Sequence, residues 1–176
     1  KPGQPAEFPV PARQDGIPDL IIDLRVPFFR NVGNQTVHVP FRKCKKCIVL
    51  DLDNTLWGGV LGEDGVEGIQ LGNTYPGNCY SDLQRFLVEG SKQGIILAIC
   101  SKNNESDAKE VFEKNPNMIL KMNHIVSYRI NWENKPTNIK NLANEINIGL
   151  DSMVFIDDNP VERELVKKAI PEITVP

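Results

Sequence analysis

The chain has 176 residues, 40% of them apolar, and a formal net charge of −3. That length suits one globular domain with an appendage, and the acidic balance argues against nucleic acid as a partner, because no basic excess is available to neutralise a phosphate backbone. No run approaches the roughly 20 apolar residues that a membrane-spanning helix needs, and four scattered cysteines do not make a disulfide framework, so the expectation is a cytoplasmic protein with no membrane partner.

Residues 1–43 are interrupted by Pro2, Pro5, Pro9, Pro11, Pro18, Pro27 and Pro40 around a single strand-like run at 20–24. They read as an extended arm or the end of a preceding domain. From the start at Lys1 and the apolar stop at 172–176 the expectation is a piece of a longer protein. From residue 44 to 176 the pattern becomes regular. Ile48-Val49-Leu50 is a short apolar run ending in acid, as a buried parallel strand would. The glycine-rich stretch from Gly58 to Gly77 has no helical periodicity and predicts a small β-hairpin flap around 57–71. Tyr80, Leu83, Phe86 and Leu87 then recur at helical spacing. Residues 95–99 read as a second buried strand ending at Cys100-Ser101. Asn103 or Asn104 is placed to cap a helix carrying Ala108, Val111 and Phe112 on one face. A third strand is expected at 125–130, a helix with Ile139, Leu142, Ala143 and Ile146, and a fourth strand at 153–156 that ends in Asp157-Asp158. A helix with Val161, Leu165 and Ala169 completes the series. Strands alternating with helices predict an α/β fold, its mostly parallel sheet covered on both faces.

In such a sheet, ligands bind outside the carboxyl ends of the strands. Asp51 and Asp53 follow the first strand, Ser101 follows the second, Asp157 and Asp158 follow the fourth, and Lys135 precedes the helix between the third and fourth. A single acid at a strand end is as often a turn residue or a helix cap, and a single lysine is usually solvated. The convergence of the whole set on one edge is what points to chemistry.

Asp51-Leu52-Asp53-Asn54-Thr55 matches the DxDx[TV] first motif of the haloacid dehalogenase (HAD) superfamily, with Ser101, Lys135 and Asp157-Asp158 in the order of its second, third and fourth motifs. The flanks, Leu56-Trp57-Gly58-Gly59-Val60, Cys100-Ser101-Lys102-Asn103, Asn131-Trp132-Glu133-Asn134-Lys135 and Phe155-Ile156-Asp157-Asp158-Asn159-Pro160, resemble the FkbH-like branch of that superfamily. The resemblance spans roughly residues 44–176. It implies a Rossmann-like three-layer sandwich and a catalytic domain over 44–176. The intervals after Asp51 and after Lys135 are too short for a large cap domain.

The resemblance also implies a mechanism: Mg²⁺-dependent phosphoryl transfer with Asp51 as nucleophile, passing through an aspartyl phosphate. Asp53 would serve as general acid and base, while Ser101 and Lys135 hold phosphoryl oxygens. Asp51, the Asp53 carbonyl and Asp158 would be the metal ligands, with Asp157 behind them. Such charge neutralisation is what an anionic phosphoester requires before a carboxylate can attack it. Lys102 and Asn103 are further substrate-binding candidates, as is Thr55, which suits bracing the loop better than touching substrate. Trp57, Glu63 and Asp64 are flap candidates, with packing for Trp57 and turn positions for the acids as the equally plain readings.

The expected partner is a phosphorylated small molecule or a carrier-bound substrate. FkbH-like members are associated with loading glyceryl from 1,3-bisphosphoglycerate onto an acyl carrier protein, so glyceryl transfer is the first alternative. Cys100 is then a candidate acyl acceptor, although a small buried core residue is the favoured reading. A catalytically silent phospho-ligand module is the second alternative, opposed by the intact acids and lysine. A receiver domain would need its acid pair before the phosphoacceptor, and here the Asp-x-Asp comes first among the site acids. Cys44 and Cys47 have the spacing of half a zinc site, with no second pair and only isolated His38 and His124.

Overall fold

The computed structural model describes residues 45–176; the expected arm over 1–43, including His38, and Cys44 lie outside them. Four strands, β1 (Cys47–Leu50), β2 (Ile96–Ser101), β3 (Ile125–Ile130) and β4 (Met153–Ile156), pair in parallel in the order β3-β2-β1-β4. Five helices, α1 (Leu61–Gly68), α2 (Gly77–Lys92), α3 (Glu105–Lys114), α4 (Lys135–Ile146) and α5 (Pro160–Ala169), complete the α/β Rossmann-like architecture.

The three layers follow from strand alternation. In β1, Ile48 and Leu50 belong to one core with Leu87 of α2 and Ala108, Val111 and Phe112 of α3. Cys47 and Val49 belong to the other, with Ile139, Leu142 and Ala143 of α4 and Val166 of α5. All four β1 side chains are buried, which is why this strand reads as an unbroken apolar run rather than an alternating one. The chain steps from β1 to β2 to β3 on one side and then places β4 on the other side of β1. That reversal opens a crevice at the carboxyl ends of β1 and β4, the position at which open α/β sheets take ligands.

Three expectations are corrected. The 57–71 segment is not a β-hairpin. It is a short helix, α1, closed at its base by one antiparallel pair in which Gly58 and Gln70 exchange backbone hydrogen bonds of 3.1 and 2.8 Å. Its helical signal is hidden because Gly65, with φ 68° and ψ 176°, breaks the helix in the left-handed region that glycine tolerates. Asp64 Oδ2 accepts from the Val60 N–H at 2.8 Å, and Leu61 and Ile69 anchor the ends in the core.

The second correction concerns α5, where Val161 (72% exposed) and Leu165 (42%) face outward. Val166 and Ile170 are the buried pair, rotated by about 100° from the predicted stripe, one residue's worth of helical turn. The third concerns α2, where Phe86 is also exposed. The inner face carries Leu87, as expected, together with a fully buried Gln84. Gln84 donates to the Leu56 carbonyl at 2.8 Å and accepts from the N–H groups of Ile119 and Leu120, so a polar residue stands in the core fully bonded.

Beyond α5 the chain returns to the outer edge of β4, with the Phe155 N–H donating to the Thr174 carbonyl at 2.9 Å. Among the described residues no helix is long and apolar enough to cross a membrane.

Candidate active site

The turn after β1 is built by its own residues. The Asp51 N–H donates to the Ile156 carbonyl at 2.9 Å, carrying the β1–β4 ladder one residue past β1 and setting Asp51 beside the acids that follow β4. The Leu52 carbonyl then accepts from the N–H groups of Thr55 and Leu56, and Asn54 takes φ 51°, a left-handed turn position that asparagine tolerates. Its side-chain oxygen accepts from the Gly59 N–H at 2.9 Å. Lys135 enters from the opposite layer as the first residue of α4. There the Asn134 side chain caps the helix by accepting from the Thr137 N–H at 2.9 Å, and Pro136 supplies a preset helical φ.

These elements bring the expected charged groups into contact. Lys135 Nζ lies 2.9 Å from Asp51 Oδ1 and 2.5 Å from Asp157 Oδ2, and all three side chains are buried. Ligand oxygens of Asp51, Asp157 and Asp158 fall within 4.8 Å of one another. One ammonium therefore offsets only one of three carboxylates. The consequences are visible in the acids. Burial pushes Asp51 up to about 6 despite the neighbouring ammonium, and burial together with Asp157 raises Asp158. Burial works against the Lys135 ammonium, but Asp51 and Asp157 together outweigh it and hold its pKa above the ordinary lysine value. An all-oxygen donor set with surplus negative charge is the chemistry that fits a hard divalent cation.

Within the doublet the two acids differ. Asp157 has both oxygens committed, one to Lys135 and one accepting from the Asn159 N–H at 2.8 Å. Asp158 is exposed, and its backbone N–H donates to Thr55 Oγ1 at 3.2 Å. The Thr55 hydroxyl thus braces the first motif against the fourth. Arg163 donates to the backbone carbonyls of Asp157 and Asp158 at 2.8 and 2.6 Å, fixing the turn that carries them.

Asp53 points to a different set of partners. Trp57 Nε1 and the Leu61 N–H donate to its Oδ1 at 3.0 and 3.1 Å, and Asn103 Nδ2 donates to its Oδ2 at 3.0 Å. Asn103, buried, also reaches Ser101 Oγ at 3.3 Å, and the Ser101 hydroxyl hydrogen-bonds the Asp51 carboxylate. A continuous chain of side chains, Asp53–Asn103–Ser101–Asp51, therefore joins the two acids of the first motif. Asn103 is the link between Asp53 and Ser101 in that chain. Trp57 is fully buried, edge-on to Phe112 with ring centroids 6.0 Å apart. It packs the core, as one reading had it, and also orients Asp53.

Other candidates fall outside the cluster. Glu63 is exposed on α1, and Asp64 is spent on the Val60 N–H. Lys102 Nζ pairs with Glu162 Oε1 at 2.6 Å across the mouth. The Glu162 contact had no signal in the sequence, since an acid in the first turn of a helix ordinarily serves only the helix dipole. Cys100 is wholly buried, its Sγ 3.8 Å from the Lys135 carbonyl, and burial pushes its thiol up to about 12. Cys47, the described half of the Cys44–Cys47 spacing, is likewise buried in β1 with a thiol pushed up to about 12. His124 Nδ1 accepts from the Lys121 N–H within a local turn.

An α/β sheet with acids, a buried lysine and a hydroxyl at its carboxyl edge defines the class of phosphoryl-transfer domains with an aspartate-led site. The sequence model of the NLI interacting factor-like phosphatases matches residues 46–174, and the chain belongs to that family, within the HAD superfamily. Among solved structures, it is similar to the N-terminal part of BF1531 from Bacteroides fragilis, a phosphatase-domain protein complexed with Mg. The two are 51% identical with a TM-score of 0.75, over 77% of this chain and 36% of that one. This chain thus spans about a third of the length of that solved N-terminal part. The HAD family enzyme bt-2542 from Bacteroides thetaiotaomicron, in complex with magnesium and inorganic phosphate, is 13% identical with a TM-score of 0.52, over 74% of this chain and 92% of that one. A HAD-superfamily hydrolase of subfamily IA from Geobacter sulfurreducens is 14% identical with a TM-score of 0.50, over 74% and 87%. These two share the fold. No curated protein matches the chain.

Proposed function

We propose that the chain is a Mg²⁺-dependent phosphatase acting on a phosphorylated small molecule through an aspartyl phosphate on Asp51. One arrangement supports this above all: a buried ammonium gripped by Asp51 and Asp157, with Asp158 close by and too little positive charge to balance the acids. Mg²⁺ held by Asp51, Asp158 and the backbone carbonyl of Asp53 would neutralise charge on the phosphoryl oxygens. The complex of Mg with the 51% identical Bacteroides fragilis domain supports that choice of ion.

In the first step an Asp51 oxygen bonds to phosphorus as the bond to the leaving oxygen breaks, and Asp53 gives that oxygen a proton. In the second, Asp53 takes a proton from water, the water oxygen bonds to phosphorus, and the Asp51–phosphorus bond breaks to release phosphate. Lys135 holds Asp51 in line and draws charge from the phosphoryl oxygens, with Ser101 and the Lys102 backbone N–H binding them. Asp157 acts from behind, keeping Lys135 in place. For the glyceryl-transfer alternative, Cys100 is enclosed in the core, so the acyl acceptor would be a thiol on the carrier protein.

The test is turnover of 4-nitrophenyl phosphate with and without Mg²⁺. Wild-type activity should require the ion, and Asp51→Asn should fall at least about 10³-fold, as when a covalent nucleophile is removed. Activity retained in Asp51→Asn would refute the reading.

A further inference from the structure

Trp132 is one of the exposed large side chains among the described residues. It is 70% exposed, on the turn between β3 and α4 and thus at the same edge of the sheet as Asp51. It is nevertheless held. Its Nε1 donates to Asn104 Oδ1 at 3.1 Å, next to the Asn103 that links Asp53 to Ser101. The turn itself is tied to the site: the Asn131 N–H donates to the Ser101 carbonyl at 3.1 Å, and Asn131 Oδ1 accepts from the Glu133 N–H and from Asn138 of α4. The ring is therefore presented by the loops that carry Ser101 and Lys135. With the indole N–H already bonded, only its apolar π surface is left to offer.

The same edge also carries α1, whose Leu61 N–H bonds Asp53, and the start of α5, where Glu162 pairs with Lys102. The β1–α2 interval contains α1 as its one helix, and β3 leads to β4 through the 131–134 turn, α4 and a short 3-10 turn at 150–152. A leaving group on phosphorus at Asp51 would lie at this same edge of the sheet. Of the other side chains there, Lys102 is paired with Glu162, and Asp53 and Asn103 are bonded to each other.

Resting on the phosphatase reading, we propose that Trp132 is the specificity-determining contact for the leaving group, and that it selects esters whose leaving group is planar and apolar. The sheet sets the scale. β3 lies two strands from β1, about 10 Å, a span within reach of a fused-ring leaving group and beyond that of an acetyl group. Stacking on an indole face is worth a factor of several in affinity.

The experiment compares 2-naphthyl phosphate with acetyl phosphate. Trp132→Ala should lower the preference for the naphthyl ester, as a ratio of kcat/KM values, by about 5–10-fold, through KM rather than kcat, and Trp132→Phe should restore part of it. A ratio within twofold of wild type would overturn the proposal. The second readout is independent of turnover. The chain has two tryptophans, and Trp57 is buried, so acrylamide quenching of fluorescence reports Trp132. In Asp51→Asn, 2-naphthyl phosphate should shield it and inorganic phosphate should not; equal quenching with both overturns the proposal. Failure of the phosphatase reading has a different signature, namely turnover that survives Asp51→Asn.

Discussion

Lys135 is the residue on which the charge balance of the site turns. A buried ammonium between two buried carboxylates is costly to assemble and costlier to break, because removing one partner strands the others. Lys135→Met should therefore do more than slow catalysis. It should destabilise the metal-free protein by about 3–5 kcal/mol, read as a lowered denaturant midpoint at pH 7. Asp51 makes the opposite kind of contribution. Its folded pKa near 6 lies above the ordinary carboxylate value of 3.8, so between those limits the folded state binds the proton more tightly than the unfolded one. Its contribution to stability is then greatest below pH 4 and is lost as pH rises through 6. In chelator, wild type should lose on the order of 2 kcal/mol relative to Asp51→Asn between pH 4 and 7. Parallel stability curves for the two proteins would contradict this.

At the scale of elements, Gln84 on α2 shows why helix faces are hard to read from apolar spacing. The residue looks like a solvent position in sequence, yet it closes three backbone bonds, to Leu56, Ile119 and Leu120. It thereby pins the turn after β1 to the segment before β3. Gln84→Leu keeps the size and removes the bonds, leaving buried backbone groups unpaired at about 1–3 kcal/mol each. The variant should lose at least about 2 kcal/mol and show faster amide exchange at Ile119 and Leu120. Unchanged exchange there would mean that the segment is held by packing alone. α1 teaches a related lesson. Its glycines conceal a helix held by the Asp64 bond to the Val60 N–H and by two buried anchors, since tertiary contacts rather than propensity decide short helices.

For the molecule as a whole, the site couples stability to ligand. Three acids and one ammonium at the junction of both cores mean that a divalent cation binding only the folded state should raise Tm, more so at higher ion concentration. Because Asp51 gains a proton as pH falls through about 6, the Mg²⁺-induced rise in Tm should be full at pH 7.5 and shrink by pH 5. An equal rise at both values would remove Asp51 from the ligand set.

The strand-ending runs at 48–50, 95–99 and 153–156 and the order Asp51, Ser101, Lys135, Asp157 were legible in the chain itself. Buried parallel strands write themselves as local apolar runs, and a switch-point site needs its polar groups directly after them. What only the folded molecule decided are the contacts between distant segments: Trp57 and Asn103 on Asp53, Thr55 on Asp158, Glu162 on Lys102, and Gln84 turned inward. Each is a hydrogen bond or ion pair whose partner is chosen by where the strands and helices come to lie. No local pattern in the sequence encodes that distance.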